Sequence, residues 1–373
     1  MKARVYANKT HQGWTKLSGL WCGIHLCIVF VLISLIGCSM IDEDQSDCGE
    51  QAKVNYDLQL VTNMATEIKT QLTTLTDLEI AETLRDYLSD VFTDFAHDVD
   101  LSFYDTQGDS VRLQHDEHIM NANQASYTLN LPMRQYMHLA TANILDNQLV
   151  SLTNDNFCHP SMLHQIERDT IDSHTTGIFT ARQPMDVLEG VDQSFNVHLY
   201  MANCATMLLI DPRGHDIDGV KVYATGFATG FHICDSAYVF PEKSPIVNST
   251  ILKSKNNSNA ERGYCCVTFP SREPSKPGTR NVIETEEPFL AEDSNETLWQ
   301  FRVYVPVPSQ DATRADNTIT ENILQIKEPL RAGELKILKV FMGENGVIES
   351  TSSEVGVSVT LDWKPGGIYN PNI

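Results

Sequence analysis

The stretch "LQHDEHIM" places His115, Asp116, Glu117 and His118 side by side. Imidazole and carboxylate groups are ligands that zinc accepts in proteins. In a β-strand successive side chains point to opposite faces, so His115 and His118 would face opposite sides, and one compact metal site would need a turn here. We therefore favour a polar hairpin tip over a metal site.

A second acidic pair lies in "RGHDIDG", where Asp216 and Asp218 precede Gly219. Calcium loops begin with similar carboxylates, but they also need a later bidentate glutamate, which is missing here. We predict a tight turn that leads into a strand from Val220 to Tyr223. The sequence also has no GxSxG, HExxH or Walker motif. It therefore predicts no catalytic residues, no cofactor and no metal.

Two of the nine cysteines, Cys265 and Cys266, are neighbours in the strand-like stretch "GYCCVTF". Alternation in a strand would place them in different environments rather than in one disulfide. The sequence has no CxxC pair, and the irregular spacing leaves disulfide pairing open. We favour buried, unpaired thiols for several of the six cysteines after residue 38, which are Cys48, Cys158, Cys204, Cys234, Cys265 and Cys266.

The amino-terminal segment has the pattern of an export signal. A mostly apolar run from Ile24 to Gly37 is shorter than the roughly 20 residues of a membrane-spanning helix. The residues before it carry no acid. We predict that residues 1–37 are a signal peptide that is removed. Its positive charges are Lys2, Arg4, Lys9 and Lys16.

The four residues Leu35-Ile36-Gly37-Cys38 resemble the bacterial lipobox. This resemblance implies that the Cys38 thiol carries diacylglycerol, that the chain is cut before Cys38, and that the acyl chains hold the protein stably in a membrane. The alternative is an ordinary signal peptide with an incidental cysteine. The acidic run Asp42-Glu43-Asp44 resembles the surface-export signal of Bacteroidetes lipoproteins. It could equally be a solvated tether, and residues 38–50 are predicted to form an acidic tether.

The chain is strongly acidic, with 49 acidic and 27 basic residues and a net charge of −22. Such a balance repels nucleic acid and anionic headgroups. We therefore predict no nucleic-acid partner, and contact with the membrane through the lipid alone.

The rest of the chain has mostly strand periodicity. Val54, Tyr56, Leu58 and Leu60 alternate with polar residues, which predicts a strand with one buried face. Further strand patterns follow, together with one clear helix. The helix has a capping box formed by Thr76 with Glu79, and its apolar stripe is Ile80, Leu84, Leu88, Val91 and Phe95.

The pattern breaks at Pro184 and Gly190, so we place a domain boundary near residue 188. The fold class predicted is all-β with one or two short helices, as an N-terminal β-sandwich domain (51–187) and a C-terminal one (188–373). Residues 154–177 are predicted to hold a short helix and a loop. Residues 242–260 and 271–287 are predicted to be long polar connections.

The tryptophans bear on glycan binding, because sugars stack on exposed aromatic rings. Trp299 and Trp363 each fall in the apolar set of a strand, so both are predicted to be core residues. A sugar platform would then have to come from tyrosines in loops.

Several stretches, in order, resemble the FimB-like fimbrial anchoring subunits of Bacteroidales. They are "CSMIDEDQSDC" after the lipobox, "YDLQLVTNM", "GVKVYATGF", "WQFRVYVPVP" and "VTLDWKPGG". The resemblance implies two tandem transthyretin-like β-sandwich domains and a lipid anchor in the outer membrane. It also implies a place at the base of a type V fimbrium, where the anchor holds the fibre at the cell surface and limits its length. Only Cys38 can be assigned a function from this resemblance.

The partner implied is the fimbrial shaft subunit. A sheet with an open edge can accept a strand from another chain, and we expect the C-terminal domain to be the acceptor. Residues 364–373 could instead be the donor, but Pro365, Pro371 and the Gly366-Gly367 pair make that tail a poor strand. The alternatives are a surface lipoprotein that binds a glycan or host protein, and a fimbrial tip or shaft subunit.

Overall fold

The structure is a computed structural model. It describes residues 51–61, 64–73, 75, 78–92, 96–106, 112–119, 126–154, 160–189, 192–254, 261–274, 297–307, 318–350, 352 and 355–363. For residues 112–119, 127, 154, 160 and 359–363 the description covers the backbone alone. Within these ranges, neither helix has the length and apolar character needed to cross a bilayer.

The described chain is mostly β-structure, which confirms the all-β prediction with few helices. Two α-helices lie near the start, α1 (Met64–Leu72) and α2 (Leu78–Val91). The strands are β1 (Gln51–Val61), β2 (Asp98–Asp105), β3 (Arg112–Ile119), β4 (Ser126–Pro132), β5 (Gln135–Ala142), β6 (Val150–Asn154), β7 (Pro160–Gln165), β8 (Thr170–Asp172), β9 (Phe179–Asp186), β10 (Gln193–Met201), β11 (Cys204–Asp211), β12 (Lys221–Thr225), β13 (Gly230–His232), β14 (Ala237–Val239), β15 (Ile246–Asn248), β16 (Thr250–Lys253), β17 (Arg262–Thr268), β18 (Trp299–Val307), β19 (Thr318–Ile326), β20 (Leu335–Met342), β21 (Ile348–Ser350) and β22 (Val355–Trp363).

The helix predicted from the apolar stripe is α2. Ile80, Leu84 and Leu88 are fully buried, as the helical spacing required. Helix α1 was missed by the sequence analysis. Only Met64 and Ile68 of its nine residues are buried, so its periodic signal is short.

The strands form four sheets in the described chain. A seven-stranded sheet has the order β3-β2-β5-β9-β10-β1-β4, and a four-stranded sheet has the order β14-β13-β7-β6. A five-stranded sheet, β16-β17-β11-β20-β21, is followed by a six-stranded sheet, β22-β19-β18-β12-β15-β8. Most of the described pairs are antiparallel, but β1 runs parallel to β10, β11 runs parallel to β20 and β15 runs parallel to β8.

The five-stranded sheet is covered on both faces, and β17 shows this best because all seven of its residues are buried. Cys265 belongs to a core that also contains α1, α2 and one face of the seven-stranded sheet. Cys266 belongs to a second core, shared with the six-stranded sheet. A third core lies between the other face of the seven-stranded sheet and the four-stranded sheet. The two adjacent cysteines therefore face different layers, as predicted.

Two expectations about the connections are wrong. Within residues 154–177 the described part holds strands β7 and β8, not a helix. The connection 242–260 contains β15 and β16, which pair with β12 and β17 respectively. These strands are three to six residues long, too short to give a periodic signal.

The sheets draw strands from both sides of residue 188. Strand β10 lies in the seven-stranded sheet beside β1 and β9, and β8 lies in the six-stranded sheet beside β15. Ala52–Ile373 form one compact unit. The two-domain division and the transthyretin-like topology stay predictions.

Candidate functional site

Cys38, the one residue to which the sequence assigned a function, lies outside the described residues. Its lipidation, the signal peptide and the acidic tether therefore stay predictions.

The HDEH stretch lies within strand β3 and is paired along its length with β2. His115 is opposite Ser102, and His118 is opposite Val99. The predicted hairpin tip is therefore wrong, because the ladder continues through these residues. Among the side chains that the structure describes, no group of three or more histidines, cysteines or carboxylates could hold a metal ion.

The Asp216–Gly219 segment forms the tight turn predicted before β12. The Asp218 backbone N–H donates to Asp216 Oδ1 over 2.8 Å, and Gly219 has a φ of +79°. Arg262, itself buried, donates from Nη2 to Asp218 Oδ1 over 2.9 Å and from Nη1 to the Ile217 carbonyl over 3.0 Å. The acidic pair thus orders a turn and pairs with a buried cation.

Three of the described cysteines are free thiols: Cys204, Cys265 and Cys266. Burial raises the pKa of Cys204, Cys265 and Cys266 well above the ordinary thiol value. A thiol that stays protonated is a poor nucleophile, so these three are structural residues. Cys48 and Cys158 lie outside the described residues.

Trp299 is a core residue, as predicted. Its ring is buried, and its Nε1–H donates to the Glu328 carbonyl over 2.9 Å. The side chain of Trp363 lies outside the described part.

The remaining candidates are the sheet edges, since an edge strand presents backbone groups to another chain. Three of the eight strands at the ends of the four sheets, β8, β14 and β21, have only three residues. The long ones are β3, β4 and β22, with eight, seven and nine residues. Short edges offer little to pair with, so the long strands are the candidates.

Sequence separates these three long edges. Strand β3 carries Arg112, Asp116 and Glu117, and charged residues on an edge discourage pairing. Strand β4 ends in Pro132, which has no backbone N–H to donate. Strand β22, "VGVSVTLDW", has one charged residue, Asp362, near its end. Strand β22 is therefore the longest of the three edges, and it has a single charged residue and no proline.

The geometry at β22 leaves apolar surface uncovered. On the core-facing side Val355 pairs with Ile326 and is buried, whereas Val357 pairs with fully buried Leu324 and is 38% exposed. The second core therefore reaches the surface at this strand. Strand β22 pairs with β19 on one side and is the last strand of the described sheet on the other. An added strand could pair with it and cover Val357.

No family model matches the chain, and no curated protein matches it. Solved structures similar to it include a candidate adhesin from Bacteroides ovatus, at 11% identity over 88% of this chain and 99% of that one, with a TM-score of 0.49. Another is the fimbrial anchor protein Mfa2 from Porphyromonas gingivalis, at 8% identity over 84% and 98% of the two chains, with a TM-score of 0.43. A fimbrial assembly protein from Parabacteroides distasonis has 10% identity over 83% and 99%, with a TM-score of 0.36. These structures include the kind of fimbrial protein that the sequence resemblance named.

The apolar alternation up to Trp363 predicts the strand at Val355–Trp363 but not its position at an edge. Edge position depends on which strands neighbour it, and one sequence does not contain that information. The available signal was composition, because eight of the nine residues of β22 are uncharged.

Proposed function

We propose that the protein is an outer-membrane lipoprotein that anchors a fimbrium at the cell surface through Cys38 and accepts a strand from the first shaft subunit at β22. The observation that carries the proposal is the combination of a lipobox cysteine with a long sheet edge that has a single charged residue, Asp362, near the other end of the chain. The first supplies a membrane attachment, and the second supplies a protein attachment.

The membrane half of the proposal rests on the export signal and the cysteine that follows it. A diacylglycerol group together with a further acyl chain exceeds what stable membrane anchoring requires. The acidic residues after Cys38 would keep the folded part away from anionic headgroups.

The protein half rests on β22. Strand addition gives affinity through backbone hydrogen bonds and specificity through alternate side chains. Val357 is the described side chain that an added strand would cover.

Deleting the gene tests the proposed function. We expect long fibres to be shed, so that an immunoblot finds the shaft protein in the medium rather than on the cells. If the fibres stay on the cells at wild-type length, the anchor proposal is wrong.

The Val357→Lys variant should reduce the fraction of shaft protein retained on cells, because a lysine on an edge strand disfavours an added strand. The fold should be kept, since Val357 is partly exposed. Ile251→Lys is the matched control: Ile251 is 48% exposed on β16, an edge strand of another sheet, and its replacement should leave retention unchanged.

Deletion of residues 364–373 should also leave fimbriae attached. If that deletion sheds them while Val357→Lys does not, the tail is a donor and β22 is not the acceptor.

A further inference from the structure

The outer face of the seven-stranded sheet is open over three adjacent strands, β10, β1 and β4. Alternate residues of these strands point into the core, where Val54, Tyr56 and Leu199 are buried. The residues between them point away from the core, and nearly all are exposed. We call this surface the polar face.

The polar face differs from the rest of the chain in charge. The chain has a net charge of −22, but on these three strands the outward residues from Lys53 to Val61, from Ser194 to Tyr200 and from Ser126 to Asn130 include one cation, Lys53, and one anion, Asp57. The others are mostly amides and hydroxyls. The face is therefore neutral overall and rich in hydrogen-bonding groups.

One aromatic ring stands on this face. Tyr200 is 56% exposed, the largest value among the exposed large hydrophobic residues described. It is paired in register with Val61 on the parallel strand β1, and the next outward pair is His198 with Gln59. Outward residues of one strand are about 7 Å apart. The Tyr200 ring thus has an imidazole and an amide one pair away on the same flat surface.

We propose that the polar face binds a neutral glycan chain, with the Tyr200 ring against the C–H face of one sugar and His198, Gln59 and Asn196 donating to and accepting from its hydroxyls. An aromatic ring with a polar tip offers both an apolar face and a hydrogen-bonding group. A surface without net charge suits an uncharged polymer, because such a polymer is neither attracted nor repelled by charge.

The same features argue against other occupants. The core of a protein–protein interface is apolar and rich in aromatic residues, whereas this face offers Tyr200 and the half-buried Val61 among polar residues. Nucleic acid needs an excess of cations, whereas here Lys53 is balanced by Asp57, and exposed Arg182 on the adjoining strand β9 is balanced by Asp186. From the sequence a sugar platform was expected only from tyrosines in loops, whereas Tyr200 lies in strand β10.

The test uses the full chain purified in detergent, applied to an array of neutral glycans: β-glucan, α-mannan, galactan and mucin-core oligosaccharides. We expect retention on at least one of them. Tyr200→Ala should weaken it at least about tenfold, whereas Tyr200→Phe should keep most of it because the ring remains. Ile251→Ala, at a similarly exposed residue of another sheet, should have no effect.

The proposal is overturned if no neutral glycan retains the protein, or if Tyr200→Ala is retained as strongly as the wild-type protein. It is also overturned if the protein binds only charged glycans or proteins. Failure of the glycan proposal would leave the anchor proposal standing. Tyr200→Ala should leave fimbriae attached to cells, because Tyr200 and β22 lie in different sheets.

Discussion

Replacing Cys38 by Ala is expected to move the protein from the outer-membrane fraction to the soluble fraction. The lipid would be joined to the Cys38 sulfur, and alanine offers no atom for that bond. Each buried methylene contributes about 0.8 kcal/mol to membrane binding, so the loss of the acyl chains removes essentially all of the attachment. The measurement is an immunoblot of membrane and soluble fractions after cell lysis, with the shaft protein probed in the medium.

Cys48→Ala is the matched control for this experiment. Cys48 is ten residues further along and lies in the same acidic segment, but it does not follow a lipobox. Its replacement should leave the protein membrane-bound. A Cys38→Ala protein that stays in the outer membrane would contradict the lipoprotein prediction, and with it the proposed anchor.

Lowering the pH from 7 to 4.5 is expected to destabilise the folded protein by several kcal/mol, because two histidines are buried in neutral form. His138 Nδ1 donates to the Ser102 carbonyl over 3.0 Å, so Nε2 is the acceptor for the Tyr56 hydroxyl, and Phe103 stacks on the ring. Burial lowers the pKa of His138 from 6.5 to about 4, although the Ser102 bond opposes this.

His174 has a similar environment. Its Nε2 donates to Gln165 Oε1 over 2.9 Å, and its Nδ1 accepts from Asn203 Nδ2 over 3.1 Å. A proton on Nδ1 would face the amide N–H of Asn203. Burial lowers the pKa of His174 to about 4.

The direction of the pH effect follows from these two pKa values. In the unfolded chain the histidines take up protons near pH 6.5, whereas in the folded chain they stay neutral down to about pH 4. Their contribution to stability is therefore complete above pH 6.5 and is lost as the pH falls towards 4. A pKa lowered from 6.5 to about 4 corresponds to on the order of 3 kcal/mol for each histidine.

Urea unfolding at pH 7 and pH 4.5 measures this effect. His138→Gln and His174→Gln should be less stable than wild type at pH 7, but they should lose less on acidification. His215→Gln, which changes an exposed histidine, should keep the wild-type pH dependence. Equal stability of the wild-type protein at the two pH values would show that the buried histidines do not determine its acid sensitivity.

Alternation between a buried and an exposed face identified several of the strands in the sequence. Val54, Tyr56 and Leu58 alternate with polar residues, and β1 was found for that reason. Strand β11, "CATMLLID", was missed because seven of its eight residues are buried between two cores, so no alternation appears. Its apolar run does not distinguish a strand from a buried helix.

The candidate sites could be predicted only where local chemistry decides them. The turn at Asp216–Gly219 and the opposite faces of Cys265 and Cys266 follow from rules that span a few residues. The edge position of β22 and the open face around Tyr200 depend on which strands lie beside them, and those neighbours are distant in the sequence. Strand β1, for example, pairs with β10, which begins more than 130 residues later.

The place of β1 in its sheet bears on mechanical strength. In the anchor that we propose, drag on the fibre becomes tension in the segment before residue 51, and β1 is the first described strand to carry that load. Strand β1 has β10 on one side and β4 on the other, and Tyr56 is bonded to His138 on β5. Removing β1 must break its backbone hydrogen bonds to both neighbouring strands and the buried Tyr56–His138 hydrogen bond together, whereas removing an edge strand breaks the hydrogen bonds to one neighbour. The attachment should therefore resist flow at the point where the pull enters the fold.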